Sequence, residues 1–131
     1  MKPELSEAAG PALATEFYKM SAGGNDFIVF DNRLGSIRAS AIGDLVKSVC
    51  TRALLVGADG AILLEKSAEA DFRARFFNPD GRPTFCGNGA RCAARLAYLK
   101  GIAPARMTLQ SDLMTHRAEV RGTAEPGQGV E

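Results

Sequence analysis

Residues 88–99 are the segment that most restricts how this chain can fold. Their spacing predicts a helix, and apolar side chains lie on almost every side of it, interrupted only by Arg91 and Arg95, one turn apart. A helix that is apolar nearly all round belongs inside a domain rather than on its surface. The rest of the domain must therefore cover this helix, and Gly101 just beyond it is suited to end it.

The other predicted elements are mostly strands. Apolar runs and alternating patterns predict strands at residues 16–20, 27–30, 61–64, 71–76, 106–110 and 117–120, with turns at 23–26 and 78–81. Apolar residues at helical spacing predict a further, amphipathic helix at 41–53. We expect the first two strands to form a hairpin with a glycine-rich corner.

Length and composition indicate one globular domain. The chain has 131 residues with 46% hydrophobic content, enough for one core but not for two full domains. We expect a loose N-terminal extension at 1–14, a domain at 15–121 and a linker at 122–131. The net charge of +1 favours neither nucleic acid nor a membrane surface as partner. No membrane span or secretion signal is evident, so we expect a cytoplasmic protein.

Cys86 is the residue with the clearest chemical potential. It lies at the mouth of a glycine-rich turn that opens the interior helix. The free N–H groups of a first helical turn can hold a carboxylate, and glycines allow the anion to approach the backbone closely. The positive helix end also favours the ionised form of a nearby thiol, so we expect Cys86 to be partly thiolate near neutral pH.

Each cysteine also has a purely structural interpretation. Cysteine often acts as a small buried hydrophobe, but the glycines around Cys86 favour the chemical interpretation. Cys50 and Cys92 lie among apolar helical residues, which predicts core packing for both. The chain has no C-x-x-C pair, and we expect its three cysteines to be thiols.

Other polar residues are ambiguous from sequence alone. Asn25 could contact a ligand or only bond to its own glycine turn, and Asn78 could cap its turn or present its amide to a site. Asp59 is expected to form a turn, and His116, the sole histidine, to lie on the surface.

Four motifs together resemble, in order and spacing, the N-terminal half of the diaminopimelate epimerase family. They are K-M-S-A-G-G-N-D-F at 19–27, G-A-D-G at 57–60, F-N-P-D-G at 77–81 and C-G-N-G-A-R-C at 86–92. The last motif is highly specific when it follows F-N-x-D-G. The resemblance covers about residues 16–121 and implies an α/β protein of the α+β type. Each of its two lobes would be a strongly curved, mainly antiparallel sheet around a central helix.

The resemblance also implies a reaction and the residues that carry it. One cysteine from each lobe would face the substrate's α-carbon, one as base and the other as proton donor, without pyridoxal phosphate or metal. Cys86 matches the N-terminal cysteine. Substrate-binding roles fall on Asn25, Asn78, Gly87 and Asn88, with the α-carboxylate at the start of the helix.

The second lobe implied by the resemblance is absent from these 131 residues. We expect a piece of a longer protein, a shortened gene product or a lobe that needs a complementary chain, and little activity from this chain alone. Its partners would be an amino-acid substrate, a second lobe or complementary chain and, in one arrangement, a second copy in a homodimer. The alternatives are a related amino-acid racemase or isomerase with another substrate, and a non-catalytic lobe that acts as a binding module.

Overall fold

The computed structural model describes residues 17–51 and 58–121, so the predicted extension and linker lie outside the described residues. Within these ranges, a short 3-10 helix, Ala39–Ala41, precedes the first of two α-helices, α1 (Ile42–Cys50) and α2 (Gly87–Leu99). The strands are β1 (Phe17–Ala22), β2 (Asn25–Asp31), β3 (Gly60–Glu65), β4 (Phe72–Phe77), β5 (Pro83–Thr84), β6 (Arg106–Gln110) and β7 (Thr115–Glu119).

The strands form one mixed sheet that curves around α2. Its order is β1-β2-β3-β4-β6-β7, with β5 paired beside β4. The β2–β3 and β4–β6 pairs are parallel and the others are antiparallel. Helix α2 contacts both edge strands, β1 and β7, as well as β2, β3 and β4. This confirms the predicted fold class, a mainly antiparallel sheet around a central helix.

Strands β2 and β3 are buried on both faces. Because successive strand residues point to opposite faces, Val29 and Ile62 face α2 whereas Ile28 and Leu63 face α1. Hydrophobic side chains of α1 cover the outer face, among them Val46, which is fully buried. The sheet thus lies between α1 and α2. We call the hydrophobic cluster between the sheet and α2 the inner core, and the cluster between the sheet and α1 the outer core.

The predicted elements are present, with shifted ends. The first turn is only Gly23–Gly24, whose φ angles are +58° and +87°, so β2 begins at Asn25 rather than at 27. Two residues with positive φ suit a tight hairpin, and glycine adopts that backbone freely. Helix α1 ends at Cys50, because Thr51 has extended backbone, and the remaining predicted helical residues, 52 and 53, lie outside the described residues. The last strand, β7, begins two residues earlier than predicted.

Within residues 17–51 and 58–121, no helix has the length and apolar character needed to cross a membrane.

Candidate functional site

Cys86 occupies the N-cap position of α2. Its backbone is extended (φ −144°, ψ 123°), and its carbonyl oxygen accepts the first helical hydrogen bond, 2.8 Å from the Ala90 nitrogen. The residue is half-buried and packs against the inner core. Strand β5 determines this position, because Thr84, two residues earlier, pairs with Phe76 of β4.

The first N–H groups of α2 are available for a ligand. Among the described residues, none accepts a hydrogen bond from the backbone N–H of Gly87, Asn88 or Gly89. Gly87 is exposed, and a Cβ atom built on it would meet no atom within 4 Å. Gly89 instead packs inward, where a Cβ would lie 3.2 Å from Phe76 Cδ1. The positive end of the helix therefore has three uncommitted donors next to Cys86 and open space above Gly87.

Asn25 and Asn88, which are 63 residues apart, are in direct contact. Asn88 Nδ2 donates to Asn25 Oδ1 at 2.8 Å, and an Arg91 guanidinium nitrogen donates to Asn88 Oδ1 at 2.7 Å. Gly23 makes this contact possible, because a Cβ at that position would lie 2.7 Å from the Asn88 amide. The hairpin turn and the helix start therefore form one polar surface.

Asn78 lies at the same end of the sheet but outside this contact. It directly follows β4, whose last residue, Phe77, pairs with Ala61 near the start of β3. Asn78 is exposed; its N–H donates to the Arg82 carbonyl at 2.9 Å, and its own carbonyl accepts from Gly81 N–H at 2.9 Å. Its side-chain amide has no hydrogen-bond partner among the described residues.

The turn that carries Asn78 is anchored to α1. Gly81 has a φ of +88°, and a Cβ on it would lie 2.6 Å from the carbonyl oxygen of Gly43. Only glycine fits this approach of one backbone to another. Gly43 carries no local sequence signal for such a contact and is not predictable from sequence.

Asp59 has a structural role, as the sequence predicts. Its carboxylate accepts a hydrogen bond from the Asp26 N–H at 2.9 Å, and the Asp26 carboxylate accepts one from the Asp59 N–H at 3.1 Å. Lys19 Nζ lies 3.2 Å from the Asp26 carboxylate. These bonds connect the turn before β3 to the start of β2, beside Asn25.

The other two cysteines belong to the cores, as predicted. Cys50 is buried in the outer core and Cys92 in the inner core, and none of the three cysteines forms a disulfide. Burial raises the pKa of the Cys92 thiol to about 11, and negative charge on Cys86 adds to the effect. Among the described residues, no group of three His, Cys, Asp or Glu side chains is placed to hold a metal ion.

His116 is less exposed than the prediction of a surface residue implies. The residue is half-buried and its ring stacks on Phe85, with centroids 4.9 Å apart and planes 8° apart. Its Nε2 lies 2.8 Å from the Ser111 hydroxyl oxygen. Phe85, the residue before Cys86, and Ser111, the residue after β6, both contact the imidazole, and no local pattern in the sequence reports that packing.

Comparison with known proteins identifies relatives over most of the chain. Residues 17–124 match the family model described as diaminopimelate epimerase. A curated diaminopimelate epimerase from Chlorobaculum tepidum is 48% identical over 106 residues, and one from Aquifex aeolicus is 40% identical over 114 residues. These alignments cover 79% and 80% of this chain but only 40% and 41% of the relatives. The chain therefore spans about two fifths of the length of these relatives.

Solved structures with low sequence identity share the fold. A methylitaconate-delta-isomerase is 15% identical with a TM-score of 0.65, covering 88% of this chain and 36% of its own. A hydroxyproline epimerase from Agrobacterium vitis is 13% identical with a TM-score of 0.56, covering 88% of this chain and 39% of its own. At such low sequence identity, these structures show only that the fold is shared. The much closer sequence match over residues 17–124 is decisive, and the chain belongs to the diaminopimelate epimerase family.

Proposed function

We propose that this chain supplies one of the two lobes of an enzyme that interconverts LL- and meso-diaminopimelate, for lysine and cell-wall precursor synthesis. Family membership supports the substrate and the reaction. One observation carries the role of this lobe: Cys86 is half-buried next to three N–H groups that no described residue engages. A thiol and a set of anion-binding donors are thus adjacent at one helix end.

The proposed reaction moves a proton between two thiols and the substrate. The Cys86 thiolate takes the α-proton and becomes a thiol, while the electron pair of the broken C–H bond remains on the substrate as a carbanion delocalised into the carboxylate. A cysteine thiol of the second lobe then donates its proton to the opposite face and becomes a thiolate. The configuration at the α-carbon is inverted, and the roles exchange in the reverse direction. No redox change or added group is required.

The helix start would stabilise the charge that develops in this reaction. A proton α to a carboxylate is a very weak acid, so negative charge that develops on the carboxylate oxygens must be stabilised. Preorganised N–H donors at residues 87–89 suit that task, especially when a second lobe excludes water from the cleft. We assign substrate binding to Gly87, Asn88, Asn25 and Asn78, the last through its unpaired amide.

A partner lobe is part of this proposal. The second cysteine and the contacts to the far end of the substrate would come from a second lobe or a complementary chain. In one arrangement, a second copy of the chain would complete a homodimer. The 131-residue chain alone is therefore expected to be inactive or nearly so.

Solvent-deuterium incorporation at the substrate α-carbon tests this proposal. The whole chain would be joined to the part of the Chlorobaculum tepidum relative that lies beyond the match, and compared with the chain alone. We expect exchange from the chimera only, reduced by at least about 100-fold in Cys86→Ala, since general acid–base groups contribute roughly 100- to 10,000-fold. Cys92→Ala is the matched control and should retain exchange.

Two results would contradict the proposal. One is exchange by the chain alone that Cys86→Ala abolishes, because a second lobe would then be unnecessary. The other is an active chimera that is indifferent to Cys86→Ala. Assaying the chimera with other amino acids tests the alternative of a related racemase or isomerase with a different substrate.

A further inference from the structure

Arg91, Asn88 and Asn25 form a chain of directed hydrogen bonds at the start of α2. Arg91 Nη1 donates to Asn88 Oδ1 at 2.7 Å, and Asn88 Nδ2 donates to Asn25 Oδ1 at 2.8 Å. We propose that Arg91 is a positioning residue that fixes the orientation of both amides, so that each presents N–H donors to a substrate carboxylate. This inference rests on the proposed function, because it concerns the same anion-binding surface.

The donor-to-acceptor direction of these two hydrogen bonds follows from the chemistry of arginine. A guanidinium is always protonated and has five donors and no acceptor. An asparagine amide has nearly the same shape in its two flipped orientations, so its neighbours decide which way it points. Arg91 therefore requires the oxygen of Asn88 to face it, which turns the Asn88 nitrogen toward Asn25. That nitrogen in turn requires the oxygen of Asn25.

The side-chain amide groups of Asn25 and Asn88 that these two hydrogen bonds do not use are all N–H donors. Asn25 Nδ2 and the second N–H of Asn88 Nδ2 have no acceptor among the described residues. They add to the uncommitted backbone N–H groups of residues 87–89. If both amides were flipped, the Asn25 oxygen would take the place of a donor and would repel a carboxylate. Arg91 thus keeps a flippable pair in the single orientation that suits an anion.

This role differs from ordinary helix-surface pairing. Arg91 is exposed and lies three residues after Asn88, a spacing at which side-chain pairs stabilise a helix only slightly. Such a pair would influence Asn88 alone. If Arg91 acts through Asn88, its loss also changes the orientation of the Asn25 amide, although Asn25 lies on another element and has no hydrogen bond with Arg91.

Side-chain amide resonances of the full 131-residue protein, measured by nuclear magnetic resonance, distinguish these cases. In Arg91→Met we expect faster exchange of the Asn88 amide protons, by roughly 3- to 10-fold for one lost hydrogen bond, and displaced Asn25 resonances. Arg91→Gln, which can also accept, should resemble Arg91→Met. Arg91→Lys retains a donor without an acceptor and should remain close to wild type.

Arg117→Met serves as the matched control, since Arg117 is an exposed arginine on β7 and is not among the three residues of this hydrogen-bonded set. Dispersed backbone resonances in every variant confirm that it is folded. The positioning role is overturned if Arg91→Met leaves the Asn25 resonances unchanged, or if Arg91→Lys disturbs them as much as Arg91→Met does.

A titration with sodium acetate, against sodium chloride at equal ionic strength, separates this inference from the proposed function. Acetate should shift the backbone N–H resonances of residues 87–89 in the wild type and do so more weakly in Arg91→Met. If acetate has no effect while Arg91→Met still displaces Asn25, the carboxylate role is wrong and only the fixed amide orientation stands. If acetate binds equally well to both proteins and Asn25 is undisturbed, the positioning role alone is wrong.

Discussion

Cys86 and Cys92 are six residues apart, yet their surroundings differ in every respect that matters for thiol chemistry. Cys86 lies half-buried at the N-cap of α2, whereas Cys92, a turn and a half later, is 2% exposed in the inner core. The sequence predicts this difference, because glycines flank one thiol and an apolar helix surrounds the other. It does not predict the bond between Asn25 and Asn88, since no local pattern reports a contact across 63 residues.

The pKa of Cys92 predicts how stability depends on pH. Folding raises this pKa from its ordinary value of 9.0 to about 11, so the native state favours the neutral thiol. The stabilisation is complete below pH 9 and is lost as pH rises through 11. We expect the free energy of unfolding of the wild type, relative to Cys92→Ala, to fall by up to about 2 kcal/mol over this range.

Urea unfolding of both proteins from pH 8 to 11.5 measures this loss. The comparison with Cys92→Ala cancels the titration of lysines and tyrosines, which both proteins share. A difference between the two free energies that stays constant across the range would show that Cys92 is not shielded in the native state.

At the scale of elements, the sequence predicts which segments are helices and strands but not where each ends. The alternation in β4 and the apolar run in β3 are local patterns, and both strands are found where predicted. The end of α1 and the start of β2 depend on tertiary contacts. Asn25 belongs to the strand because it pairs with Ala22, whereas the glycine-rich sequence around it predicts a turn.

Replacing Gly81 by alanine tests how much the close contact between α1 and the turn bearing Asn78 contributes to stability. A side chain at Gly81 would meet the Gly43 carbonyl at 2.6 Å, in addition to the strain of a positive φ. Gly101 also has a positive φ, +75°, but a Cβ there would have no atom within 4 Å. We expect Gly81→Ala to lower the free energy of unfolding by about 2–4 kcal/mol and Gly101→Ala by about 1 kcal/mol.

Denaturant unfolding of the two alanine variants checks this prediction. Because both share the backbone strain, the difference between them isolates the contact between the turn and α1. Equal losses would show that this contact contributes nothing to stability.

At the scale of the whole molecule, one interior helix organises both the fold and the candidate site. The apolar character of α2 predicts its burial, and the curved sheet around it brings the hairpin turn and the end of β4 to the helix start. The predicted site residues lie at one end of the sheet for this reason. The chain spans about two fifths of the length of its relatives, and our proposal assigns the rest of the cleft to a second lobe.

Alkylation of the folded 131-residue protein by iodoacetamide, followed cysteine by cysteine with mass spectrometry, tests the central claim most directly. With a pKa of about 11, roughly one Cys92 thiol in a thousand is ionised at pH 8, and Cys50 is also buried, in the outer core. We predict that Cys86 is modified at neutral pH at least about tenfold faster than either internal control. If Cys86 remains unmodified until the protein unfolds, the thiol is not available at the helix start and the account of this lobe is wrong.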